Sequence, residues 1–154
     1  MSTTQNEFDF SLDMAAEPPL LGVLRAAVHA WVCRHGASEQ KADRICLAID
    51  EAAANIIRHA YQGKPGRLRL RGQRLGDQLA LELEDDAPFL DLNTIQPRPL
   101  DQVRPGGLGL HFIRHMMDQC LWTELPDGGT RLTMYASIHA AEVETTIEKE
   151  IHHA

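Results

Sequence analysis

The chain predicts an α+β fold, a mixed and mostly antiparallel sheet covered on one face by helices. Three observations carry that expectation. Between Pro18 and Tyr61 two stretches place apolar residues at helical spacing. Two pairs of alternating segments, 67–74 with 78–84 and 120–124 with 130–136, are each joined by a short glycine-containing turn and read as β-hairpins. A third helical stretch, Leu110–Gln119, separates the hairpins. At 154 residues the chain is long enough for one domain with a substantial core. We place that domain at residues 1–138 and an acidic tail at 139–154.

In order along the chain, residues 1–6 are polar, and Phe8 and Phe10 alternate with acids as in a short first strand. Pro18-Pro19 opens a helix to His35, since a first-turn N–H needs no helical partner, and Leu20, Leu24, Ala27 and Trp31 share one face. Gly36 ends it and Ser38 caps the next helix, whose continuous pattern runs over Ala42–Tyr61 with the apolar stripe Ile45, Ile49, Ala52, Ile56. Gly63–Gly66 is a turn. Arg67, Arg69, Arg71 and Arg74 give the first hairpin strand a basic, solvated face, open as a minority reading to an acidic partner. Leu90–Pro105, with three prolines and no periodicity, is a long loop of the kind that often serves as a lid. In the tail, Val143, Ile147 and Ile151 recur at helical spacing.

Composition excludes several function classes. A net charge of −7 argues against phosphate-neutralising nucleic-acid binding. No apolar run reaches membrane-span length and no signal segment opens the chain, so a cytoplasmic protein with no membrane partner is expected. Cys33, Cys46 and Cys120 are odd in number and lack any C-x2-C, which suggests neither a disulfide framework nor a zinc site. His111 and His115 stand four apart on a helix, but no third ligand is in register and packing is the favoured reading.

The chemistry-bearing residues come in four groups. Glu51, Asn55 and His59 are spaced four apart and form a polar stripe beside the apolar one. At the rim of a core a carboxylate there can accept a proton and an amide oxygen can ligate a hard cation. At the end of the second hairpin strand stands Glu84-Asp85-Asp86-Ala87-Pro88-Phe89. Asp85 continues the row Leu79, Leu81, Leu83, whereas Asp86 continues Ala80, Glu82, Glu84. A carboxylate that extends a buried row needs a hydrogen-bond donor, which an exocyclic adenine amine would supply. Gly106-Gly107-Leu108-Gly109-Leu110 runs directly into a helix, where successive N–H groups make an anion site. It is neither a Walker A loop nor a dinucleotide fingerprint. Gly128-Gly129-Thr130 enters the last strand and can bring the Thr130 hydroxyl toward a nucleotide.

In this order and spacing the four groups resemble the conserved boxes of the GHKL (Bergerat-fold) ATPases. More narrowly, the chain resembles the stand-alone anti-sigma factor/serine-protein kinases of bacterial partner-switching systems, most closely over Gly106–Asp118. The resemblance spans roughly Ala42–Met134 and implies a two-layer α/β sandwich. It implies Glu51 as the catalytic residue, Asn55 as the Mg²⁺ ligand, Asp85 as the adenine-binding residue, and Leu90–Pro105 as the ATP lid. It places His59, Ala87, Gly106, Gly107, Leu108, Gly109, Leu110 and Thr130 around ATP or ADP. Arg98 or Arg104 in the lid would stabilise transferred charge.

The partners implied are a sigma factor, a STAS-domain anti-anti-sigma protein as substrate, and a second copy in a homodimer. The box at Asp85 is one residue shorter than the subfamily's D-x-G-x-P-F and has Ala87 for its glycine. A regulatory module that binds nucleotide and sequesters its partner without phosphorylating it is the alternative; a histidine kinase ranks below both, for want of a helical hairpin carrying a phosphoacceptor.

Overall fold

The computed structural model describes residues 7–95 and 109–139. Gly106, Gly107 and Leu108, the lid from residue 96 onward with Arg98 and Arg104, and the tail stripe Val143, Ile147, Ile151 lie outside them.

Strand β1 (Phe10–Ala15) leads through a 3₁₀ turn (Pro18–Leu20) into helix α1 (Leu21–Arg34), then α2 (Glu39–Asn55). A hairpin of β2 (Arg67–Leu75) and β3 (Gln78–Asp85) follows, then helix α3 (Leu110–Met116) and a second hairpin, β4 (Gln119–Glu124) with β5 (Thr130–Ser137). The five strands form one sheet in the order β1-β2-β3-β5-β4. Every neighbouring pair is antiparallel, so the expected mixed sheet is antiparallel throughout its described strands. Helices cover one face, giving the two-layer architecture.

The core lies between that face and the helices. Along β3, Leu79, Leu81 and Leu83 are fully buried. Leu83 aligns with Leu70 and Leu132 on the flanking strands, and the row meets Leu24, Val28 and Val32 of α1 and Ile45, Ile49 and Ala52 of α2 within one hydrophobic cluster. Ser38 caps α2 as its residue type dictates, its side chain accepting from the Lys41 N–H at 3.1 Å.

Four local expectations are corrected. The first strand is Phe10–Ala15 rather than Phe8–Phe10, because Phe10, Leu12 and Met14 alternate inward against β2 while the Phe8 ring sits under the Arg71 guanidinium at 4.3 Å. The second helix does not stay α-helical to Tyr61: its last five residues, Ile56–Ala60, widen into a π turn. The third helix stops at Met116, since Met117 is extended and turns the chain into β4. Arg74 shares parity with Leu70 rather than with the other arginines, and its side chain bonds back to the Gly76 carbonyl at 2.9 Å.

Nor is the arginine face basic. Arg67 pairs with Asp13 at 2.9 Å, Arg69 with Asp86 at 2.7 Å, and Arg71 with Glu82 at 2.6 Å and Glu84 at 3.0 Å. Arg131 on β5 approaches Glu84 at 3.5 Å. The uncovered face of the sheet is therefore a cross-strand ion network in which each arginine has an acid opposite it.

Tyr61 ties the end of α2 to the sheet. Its hydroxyl donates to the Arg67 carbonyl at 2.7 Å and accepts from the Asp86 N–H at 2.8 Å. Tyr61→Phe should therefore destabilise the fold by about 1 kcal/mol, the net worth of exchanging the hydroxyl's bonds to exposed backbone groups for bonds to water. Urea unfolding should show a lower midpoint at unchanged slope.

Candidate functional site

A cavity of about 620 Å³ opens between the end of α2, the ends of β3 and β5, and α3. Its floor is apolar, made by Ala52, Ile56, Leu83, Leu110, Ile113, Trp122 and Leu132. That volume and lining suit a small organic ligand held by a few polar groups. The polar groups Asn55, His59, Asp85 and Thr130, singled out in the sequence, line the cavity, as do Ala87 and Leu110. Asp85 and Thr130 face one another across the β3–β5 ladder. His59, on the π turn, is exposed at the mouth, whereas Asn55 is buried.

Asp85 is the polar centre. Parity carries it inward from the Leu79–Leu83 row, and it is 3% exposed, while Asp86 points the other way onto Arg69. Burial pushes the Asp85 carboxyl up to about 6, against the partial relief of the Ala87 N–H donated to its Oδ1 at 2.9 Å. Oδ2 remains for a donor from within the cavity, which is what an adenine amine requires. Ala87 stands where the related box has glycine, yet among the described residues Gln62 is the sole non-glycine with positive φ, so Ala87 carries no backbone strain. The shortened box still delivers its carboxylate.

Glu51 is set apart from this lining. It lies one turn before Asn55 on α2, partly exposed, with the Arg58 guanidinium 3.9 Å from its Oε1. The glycine before α3 has its close approach here. Gly109 takes φ 61°, and a Cβ at that position would fall on the Glu51 carboxylate. The polar stripe is thus split: Asn55 and His59 belong to the cavity, and Glu51 to the seam between α2 and α3.

Gly129, which the sequence marks only as part of a turn, has a packing role, and Arg114 and Asn93 escape sequence reasoning. A Cβ on Gly129 would strike the Asp85 carbonyl, so the turn before β5 is pressed against the end of β3. The doubled glycine at 128–129 is the only signal for it. Arg114 donates to the carbonyls of Leu92 and Ile95, both at 2.7 Å, and lies 5.5 Å over the Trp122 ring. Asn93 trades two bonds with the Trp122 backbone, at 2.7 and 2.9 Å. The first residues of the lid are therefore strapped to α3 and β4. Arg114 sits inside a recognised motif but carries no mark of this role.

The chain belongs to the histidine kinase-like ATPase domain family, whose pattern matches residues 14–136. Among its relatives, the serine-protein kinase RsbW of Bacillus subtilis (strain 168) is 24% identical over 154 residues, covering 94% of this chain and 96% of that one. The serine-protein kinase RsbW of Staphylococcus epidermidis is 24% identical over 159 residues, covering 97% of this chain and 98% of that one. The solved Erythrobacter litoralis EL346 blue-light activated histidine kinase shares the fold, with a TM-score of 0.50 and 19% identity over 77% of this chain and 42% of that one. Among the described residues no helix is long and apolar enough to cross a membrane.

The raised Asp85 carboxyl gives a pH test. A ligand amine needs the ionised acceptor, whereas a proton on Oδ2 competes for the same position. ATP affinity should be flat above the group's value of about 6 and fall as pH drops through it. In the absence of ligand the sign reverses: the fold takes up a proton more readily than the unfolded chain, so Asp85 favours stability below about 6 and that contribution is lost as pH rises through it. Calorimetry from pH 7.5 to 5 should show the fall in wild type. Asp85→Asn should bind weakly with the fall removed, which separates Asp85 from His59 at the same mouth.

Proposed function

We propose that this protein is an ATP-binding anti-sigma factor and serine/threonine-protein kinase, transferring the γ-phosphoryl group of ATP to a hydroxyl on a STAS-domain anti-anti-sigma protein. The observation that carries the reading is the placement of Glu51 and Asn55 one turn apart on α2, beside a cavity whose far wall holds Asp85. The similarity to serine-protein kinase RsbW along nearly the whole chain supports it.

Phosphoryl transfer of this kind relies on positioning and charge neutralisation more than on covalent chemistry. Asp85 Oδ2 would accept from the adenine amine and so orient the base. The Asn55 side-chain oxygen would hold Mg²⁺, a hard-ligand role suited to an amide. Mg²⁺ bound there supplies neutralising charge to the phosphates. Glu51, at the rim and held by Arg58, would accept the proton of the partner's hydroxyl. His59 and Thr130 would close the polar edge of the cavity, and Gly106, Gly107 and Leu108 would bring backbone N–H groups to the phosphates. Engagement of a sigma factor, a homodimer and a cytoplasmic location belong to the same reading, with no direct contact to nucleic acid.

The test separates binding from chemistry. Glu51→Ala should still bind ATP but phosphorylate the STAS partner about 10²–10⁴-fold more slowly, as for loss of a general base. Asn55→Ala should lose the Mg²⁺ dependence of nucleotide binding. Labelled ATP with purified partner reads the first and calorimetry with and without Mg²⁺ the second. Normal phosphorylation by Glu51→Ala would remove that residue from the chemistry. Absence of transfer by the wild type, with sigma binding intact, would favour sequestration without phosphorylation.

A further inference from the structure

The far end of the helical layer carries a second cluster of ligating side chains. His29 and Cys33 stand four apart on α1, and Glu39 and Asp43 stand four apart on the first turns of α2, so each pair projects from one helix face. The two faces meet across the connection at residues 35–38. His29 Nε2 lies 2.9 Å from Glu39 Oε2, and Cys33 Sγ lies 4.0 Å from His29 Nε2 and 3.9 Å from Glu39 Oε1. Asp43 Oδ1 is 3.9 Å from His29 Nε2. One ligand atom from each of His29, Cys33 and Glu39 falls within 4.8 Å of the others.

We propose that His29, Cys33 and Glu39, completed by Asp43, form a binding site for a divalent transition metal of the zinc class. Tetrahedral zinc with bonds of 2.0–2.3 Å sets its ligand atoms roughly 3.3–3.8 Å apart. The separations among His29, Cys33 and Glu39, 2.9–4.0 Å with either Glu39 oxygen, bracket that range, and Asp43 reaches His29 from the same side. The donor set decides the class of metal. A thiol and an imidazole select against magnesium and calcium, whereas two carboxylates beside them neutralise a dication. The frame is prepared, because α1 and α2 pack through buried Val28, Val32 and Ala42, and the Ser38 cap fixes where α2 begins.

Binding deprotonates the Cys33 thiol, which forms the S–metal bond and releases its proton to solvent. The ion would pin α1 to α2 at the end remote from the nucleotide: Glu39 and Glu51 are separated by roughly 18 Å along α2. The site is thus independent of any Mg²⁺ at Asn55. The C-x2-C patterns sought in a sequence do not reveal it, because its ligands come as two pairs spaced i, i+4.

The full-length protein, free of nucleotide, should be titrated with Co²⁺ as the probe and with Zn²⁺ as competitor. Expected are a thiolate-to-cobalt charge-transfer band, its displacement by Zn²⁺, and a rise in melting temperature with Zn²⁺, since a ligand held only by the folded chain stabilises it. Cys33→Ser should abolish the band, and His29→Ala and Glu39→Gln should each weaken binding ten-fold or more, with circular dichroism confirming that all three fold. Cys46→Ser and Cys120→Ser should leave the band in place, as should replacement of the competing pairs His111/His115 and His152/His153 by alanine. No charge-transfer band, a band that survives Cys33→Ser, or binding lost with either outlying histidine pair would overturn the assignment.

Discussion

A single constraint organises the nucleotide end of this molecule: the apolar row of the central strand runs one residue too far. β3 lies in the middle of the sheet, and its alternation puts Leu79, Leu81 and Leu83 against the helices. The next residue of that parity is Asp85, and a carboxylate with almost no exposure follows from nothing more than the two-residue period of a strand. Leaving it there is costly unless donors arrive. One is local, the Ala87 N–H. The other must come from the cavity. The neighbourhood is built to keep this geometry: Gly129 lets the β5 turn press against the Asp85 carbonyl, and Tyr61 clips the following residue to the start of β2.

The second wall of the site depends on α2, and its chemistry is divided by close approach at Gly109. Because a side chain there would occupy the place of the Glu51 carboxylate, α3 can begin directly against α2. Glu51 is thereby kept at the seam between α2 and α3, one turn from the amide of Asn55. The π turn then carries His59 back to the cavity mouth. Arg114 couples the same short helix to the segment that follows β3 through carbonyls of Leu92 and Ile95.

Much of this was legible in the sequence for physical reasons. Strand parity is strict, so Asp85 and Asp86 could be assigned to opposite faces before any coordinates, and the cap at Ser38 follows from a side chain that reaches its own backbone. The illegible parts share a cause: each depends on what lies across a gap in the chain. Glu51 is parted from Asn55 and His59 by Gly109, which stands 58 residues further along the chain. The arginines of β2 looked basic because their acids sit on β1, β3 and the following loop. Arg114 and Gly129 act on segments about 20 and 44 residues away in sequence, and only the register of β3 with β5 brings the latter to Asp85.

Three consecutive carboxylates, Glu84, Asp85 and Asp86, show how environment rather than residue type assigns a role. Glu84 faces the open side of the sheet and is gripped by Arg71 and Arg131. Asp86 shares two bonds with Arg69, which hold its carboxyl below the usual range. Only Asp85 is drawn upward, by desolvation, with no cationic side chain bonded to it among the described residues. Pairs of like groups whose environments push them apart mark functional positions. A guanidinium in the cavity would have fixed Asp85 as a structural anion. Among the described residues none is bonded to it, and the carboxylate faces an apolar cavity with one oxygen satisfied by the Ala87 N–H. The arginines lie on the other face, where Glu84 and Asp86 pair with them, so one short strand end braces the sheet on one side and presents a buried carboxylate on the other.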